Sequence, residues 1–134
     1  MRIPKALFCL FLMPLIAGAQ DIPANSGNPR VQITTTLGSF VMELNPERAP
    51  QTVEHFLQYV EEGHYVGTIF HRVIQGFIAQ TGGVTENLQP KTMERSVSNE
   101  SGNGLSNLRG TVGLARTNEP HSGNAQFYVN LADN

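Results

Sequence analysis

The sequence predicts a mainly β protein with one clear helix, arranged as a barrel or a sandwich. Three observations carry this. Strict apolar–polar alternation recurs in short runs bounded by glycine. Helical periodicity occurs in a single segment. Thirteen glycines and eight prolines in 134 residues supply many turns.

The chain is one domain's worth at most. Its net charge of −2 suggests neither nucleic-acid binding nor an acidic tail, and it shows no heptads, repeats or low-complexity tracts. "MRIPK" carries Arg2 and Lys5, "ALFCLFLMPLI" is apolar, and "AGA" at 17–19 supplies the small residues a signal peptidase reads. Residues 1–19 are therefore expected to be a secretory signal peptide, cut near Ala19. The apolar run is shorter than the ~20 residues that span a bilayer, and Pro14 interrupts it. The only cysteine, Cys9, lies inside that run, so the mature protein is held by its core without disulfides. A periplasmic or secreted location follows, with no membrane attachment after cleavage.

Residues 20–30 begin with "QDIPANSGNP", a polar linker. Two β-rich runs at about 31–36 and 39–45 flank a Leu-Gly turn, with Phe40, Met42 and Leu44 on one buried face of a hairpin. In "PERAPQTVEHFLQYVEEG", Val53, Phe56, Leu57 and Val60 form one helical stripe. Pro50 suits its first turn and Gly63 its stop. "YVGTIFHRV" and "GFIAQTGG" read as strands joined by a short turn. Residues 84–110, poor in large apolar side chains, read as a long loop. "TVGLAR" and "AQFYVNL" are two further short strands.

Arg72 stands out. Ile69, Phe70, Val73, Ile74, Phe77 and Ile78 around it ask for burial, and an arginine does not, unless it is paired or aimed at something. Taken alone it is either a solvent-facing strand residue, its stem lying on apolar surface, or a positioned donor. The histidines suggest less. His71 reads as structural, His55 lies off the helix stripe, and His64 and His121 lie in turns. No pair has metal-ligand spacing. Ser101, Ser106 and Ser122 lack a triad context, and "GNGLSNLRG" lacks the lysine of a phosphate loop.

Four stretches together resemble the cyclophilin family. "FHRVIQGFIAQTGG" is similar to its signature, "GTVGLAR" to a pocket-lining segment, "AQFYVNLADN" to its "SQFF" strand, and "NESGNGLSNLRGT" to a stretch of bacterial exported members. The resemblance covers residues 31–134. It implies a cyclophilin-like closed β-barrel with a flanking helix, and a peptidyl-prolyl cis-trans isomerase that needs no cofactor and no metal. Arg72 matches the family's catalytic arginine. Phe77 and Ile78 match the wall of the proline pocket, with Ile78 where Met is common. Gln80 matches the glutamine that holds substrate backbone. Ala115, Arg116 and Thr117 match the segment along which an extended peptide lies, with Arg116 where Asn is often found. Gln126 and Tyr128 match the far wall, with Tyr128 where Phe is usual. The partners implied are proline-containing unfolded or exported polypeptides, bound by a monomer and without nucleic acid. Family members continue past the position of Asn134 with residues that complete the pocket, further strands and a second helix. The expectation is thus an incomplete copy of an exported isomerase. The alternatives are a non-catalytic Pro-peptide-binding or chaperone-like remnant, or an inactive fragment.

Overall fold

A computed structural model of the chain describes residues 27–134. The expected signal peptide and most of the expected linker lie outside the described residues.

The hairpin forms first in chain order: β1 (Arg30–Thr35) and β2 (Gly38–Glu43) pair antiparallel, with Val31 opposite Met42 and Ile33 opposite Phe40. Gly38 takes φ +133°, and Thr35 Oγ1 bonds both Gly38 O and Leu37 N to close the turn. The expected buried face is only half realised. Met42 is buried, whereas Phe40 is exposed because its end of the hairpin borders an open groove.

Helix α1 (Pro50–Glu61) starts with Pro50 in its first turn, where a missing N–H costs nothing. Its N-cap, Ala49, has no capping side chain. A residue far along the chain does that work: Glu100 accepts from Gln51 N at 3.1 Å, from Thr52 N at 2.8 Å and from Thr52 Oγ1 at 2.7 Å. These bonds satisfy orphan amides and place negative charge at the positive helix end. Burial raises the Glu100 pKa, but the bonds from Thr52 and Gln51 outweigh it and hold the carboxyl below its ordinary value. At the other end, Gly63 at φ +70° donates to Val60 O and His64 N donates to Tyr59 O, a Schellman stop.

The sequence places His55 off the apolar stripe, but the structure buries it together with Val53, Phe56 and Tyr59. The loops at 95–97 and 123–124 cover that side of the helix. Burial lowers the His55 pKa, a bond with the Asn124 main chain opposes this, and the Arg95 charge adds to the lowering.

The remaining strands, β3 (Arg72–Ile74), β4 (Ile78–Thr81), β5 (Val112–Leu114) and β6 (Phe127–Asn130), form one antiparallel sheet in the order β3-β4-β6-β5. The first of these is shorter than the sequence suggests. Residues 65–67 are turns that follow the helix, Thr68 makes only an isolated bridge to Thr85, and Val73, Ile74 and Phe77 are exposed, leaving Ile78 as the buried aliphatic residue of the run. The 84–110 loop has no regular strands, as its composition predicts, and is tied down by isolated bridges such as Val97 to Gly123.

Met42, Phe56 and Phe127 form the centre of the core, packed by Val31, Ile33, Leu44, Leu57, Val60 and Tyr65. Phe56 and Phe127 meet edge to face with ring centroids 5.6 Å apart. Tyr65 packs on both rings and donates to Ala125 O at 2.8 Å. Between hairpin and sheet runs a groove of about 1120 Å³, lined by Val31, Ile33, Tyr65, Phe70, Ala79 and Phe127.

Candidate active site

Alternation sends Ala79, Thr81 and Phe127 to the groove-and-core side of the sheet, and Ile78, Gln80, Tyr128 and Asn130 to the other side. On that second side, pairing registers align four residues across four strands. Arg72 stands opposite Gln80, Gln80 opposite Tyr128, and Tyr128 opposite Gly113. Gln126 joins the same face two residues before Tyr128.

Hydrogen bonds run along this row. Arg72 Nη1 donates to Gln80 Oε1 at 3.2 Å, and Gln80 Nε2 donates to Gln126 Oε1 at 2.9 Å. An arginine can only donate, so Arg72 dictates which end of the Gln80 amide faces it, and Gln80 in turn dictates the orientation of Gln126. The guanidinium itself is exposed, with further N–H groups beyond the one held by Gln80.

Two glycines make this arrangement possible. A Cβ at Gly83 would lie 2.5 Å from Gln126 Cδ, so the Gln126 amide lies directly on bare backbone. A Cβ at Gly113 would lie 2.5 Å from Tyr128 Oη. The second signal is present in the sequence, since a glycine inside a strand marks close approach of another group. Neither contact partner is readable there.

Phe77 ends the turn through Gly76 (φ +69°) and is 41% exposed. Its carbonyl accepts from Leu131 N at 2.8 Å and Asn134 Nδ2 at 3.0 Å. Ile78 is buried on this face, whereas Ile74, its partner in β3, is exposed and Tyr128 is half-buried.

The 115–117 segment adjoins the row through Ala115 and is otherwise committed to itself. Ala115 N donates to Gln126 O at 2.8 Å. Thr117 N donates to Ser122 Oγ at 2.9 Å, and Arg116 Nη1 donates to Thr117 O at 2.9 Å. The side chains of Arg116 and Thr117 thus brace their own turn and do not reach Arg72. His71 keeps a buried Nδ1 without a partner. Among the described residues, no three His, Cys, Asp or Glu side chains converge as metal ligands.

An exposed arginine is thus held by an amide relay on the sheet face that Tyr128 shares. Residues 30–134 match the family described as cyclophilin type peptidyl-prolyl cis-trans isomerase/CLD, and the chain belongs to that family. It is 53% identical over 104 residues to peptidyl-prolyl cis-trans isomerase cyp18 of Streptomyces antibioticus, covering 78% of this chain and 63% of that protein. To peptidyl-prolyl cis-trans isomerase B of Escherichia coli it is 46% identical over 104 residues, with the same 78% and 63% coverage. The chain therefore spans a little under two thirds of the length of these relatives. A cyclophilin-type isomerase from Cryptosporidium parvum, solved in the presence of the dipeptide Ala-Pro, superposes with a TM-score of 0.66 at 27% identity, covering 79% of this chain and 70% of that one.

Proposed function

We propose that this chain carries the catalytic face of a peptidyl-prolyl cis-trans isomerase acting on X-Pro bonds of exported polypeptides, in the periplasm or outside the cell, where it assists their folding. The observation that carries this reading is the exposed Arg72 guanidinium, oriented by Gln80 and Gln126 on the face that Tyr128 shares.

The chemistry asks for these parts. Resonance holds the X-Pro amide planar behind a barrier of about 18–20 kcal/mol, and uncatalysed exchange takes about 10–100 s. Catalysis requires tighter binding of the twisted amide than of either planar form. On twisting, the prolyl nitrogen becomes pyramidal and regains its lone pair. Arg72 donates to that lone pair, which draws it out of resonance with the carbonyl. No proton is transferred and no covalent bond is made. Gln80 spends its oxygen on Arg72 and one Nε2 hydrogen on Gln126, which leaves one hydrogen to face the carbonyl on the X side. Phe77 and Tyr128 grip the proline ring. The main-chain groups of Ala115 and Arg116 that are not used within the turn are available to an extended peptide. Proline-containing segments are the expected partners, in keeping with the Ala-Pro dipeptide of the Cryptosporidium protein.

The test is the cis-trans exchange rate of an Ala-Pro peptide with the chain and with Arg72→Ala. Acceleration that disappears in the variant supports isomerisation. Peptide binding with a rate indifferent to Arg72 would point to a holding role.

A further inference from the structure

The hydroxyl of Tyr128 has no role in gripping a proline ring, yet the fold is arranged around it. It lies above Gly113, where any Cβ would collide with it, and donates to Asn107 Oδ1 at 3.3 Å. Asn107 Oδ1 also accepts from Asn130 Nδ2 at 3.3 Å, and Asn107 O accepts from Asn134 N at 2.9 Å. Asn130 is 1% exposed and also bonds Thr111 Oγ1 at 3.0 Å. The loop residue Asn107 is therefore fixed from two sides, by a buried strand residue and by main chain, and it offers a held acceptor to the tyrosine.

We infer that Asn107 is a positioning residue of the site, acting through the Tyr128 hydroxyl, and that Gly113 is the opening that allows the tyrosine to reach it. This rests on the isomerase reading and extends it to a residue that touches no substrate. A half-buried tyrosine ring without a tether can turn about χ1 and χ2. Tethering its far end fixes the plane it presents beside Gln80. A wall of that kind grips the proline ring in the planar and twisted states alike, so its loss appears in KM and leaves kcat in place.

The experiment is a cycle of Asn107→Ala, Tyr128→Phe and their combination, with Asn107→Asp as the conservative variant and Arg72→Ala as the control for chemistry. Asn107→Ala is expected to raise KM for an Ala-Pro peptide about threefold to tenfold, the scale of one lost hydrogen bond, with kcat unchanged. Tyr128→Phe should raise it equally. Adding Asn107→Ala to Tyr128→Phe should change KM no further, because the tether is already gone. Asn107→Asp retains an acceptor and should restore the wild-type KM. An Asn107→Ala effect that persists undiminished in the Phe background overturns the inference, since Asn107 would then act through Asn130 alone. Failure of the isomerase reading looks different: no acceleration by the wild type, and none lost in Arg72→Ala. In that event the same cycle is read in the peptide dissociation constant by NMR titration, with the same expected and overturning patterns.

Discussion

The Gln126 carboxamide lies on the bare backbone of Gly83, so close that a Cβ there would sit 2.5 Å from Gln126 Cδ and 2.7 Å from its Nε2. Gly83 belongs to the glycine pair that follows β4, and Gln126 ends the relay that begins at Arg72.

This contact separates site geometry from stability. In Gly83→Ala, the atoms met are the far end of a flexible side chain, which can move aside at little cost to the fold. The relay is then broken at Gln126. Loss of kcat/KM of about tenfold is expected, below the ~10²-fold that a misplacement of about 1 Å can cost. Melting temperature and peptide exchange rate, measured on one preparation, check both halves.

Arg72→Ala should reduce kcat by about 10²-fold or more, the scale of losing one oriented donor to charge that develops in the transition state. Arg72 is exposed, so thermal stability should change little. Arg72→Lys keeps the charge but loses the planar fork that bonds Gln80 and substrate together, and should recover only part of the rate.

Glu100 caps a helix that begins 50 residues earlier in the chain, with three hydrogen bonds to Gln51 and Thr52. Glu100→Gln should cost about 1 kcal/mol at neutral pH. Its folded pKa lies below the ordinary 4.5. The stabilisation is therefore complete above about 4.5 and is lost as pH falls through the lower folded value. Urea unfolding across this acid range should show a shallower pH dependence for the variant.

His55 titrates with a different partner set but the same sign. Burial favours its neutral form and holds its pKa below 6.5. The fold keeps its full stability above about pH 6.5 and loses it as pH falls through the depressed value. In His55→Leu, this part of the pH profile should flatten, as read by thermal melts between about pH 5 and 7.

The sequence exposed some of this and hid the rest for identifiable reasons. Alternation alone put Gln126 and Tyr128 on one face, because period two is local. The helix, its Pro50 start and its Gly63 stop were local too. The pairing that sets Tyr128 beside Gln80 joins residues 48 apart, and no local pattern specifies it. The Glu100 cap and the burial of His55 depend on where the 84–110 loop and its successor come to rest. Residues 65–67 look like strand by propensity, but the Schellman stop at Gly63 leads into turns there instead. The relevance of Arg72 was visible as an anomaly, a charge among residues that ask for burial. Three of those six neighbours, Val73, Ile74 and Phe77, proved exposed, so the anomaly lies less in burial than in how the guanidinium is held.

The row from Arg72 through Gln80 and Tyr128 to Gly113 crosses all four strands of one sheet. Because side chains alternate with period two, a slip of one residue between β4 and β6 would carry Tyr128 and Gln126 to the opposite surface together. Arg72 and Gln80, paired across β3 and β4, would then be left without the rest of the row. Turnover thus doubles as a gauge of strand alignment: a chain that catalyses has paired its strands correctly, and in a refolding experiment the return of activity should time the locking of β4 against β6.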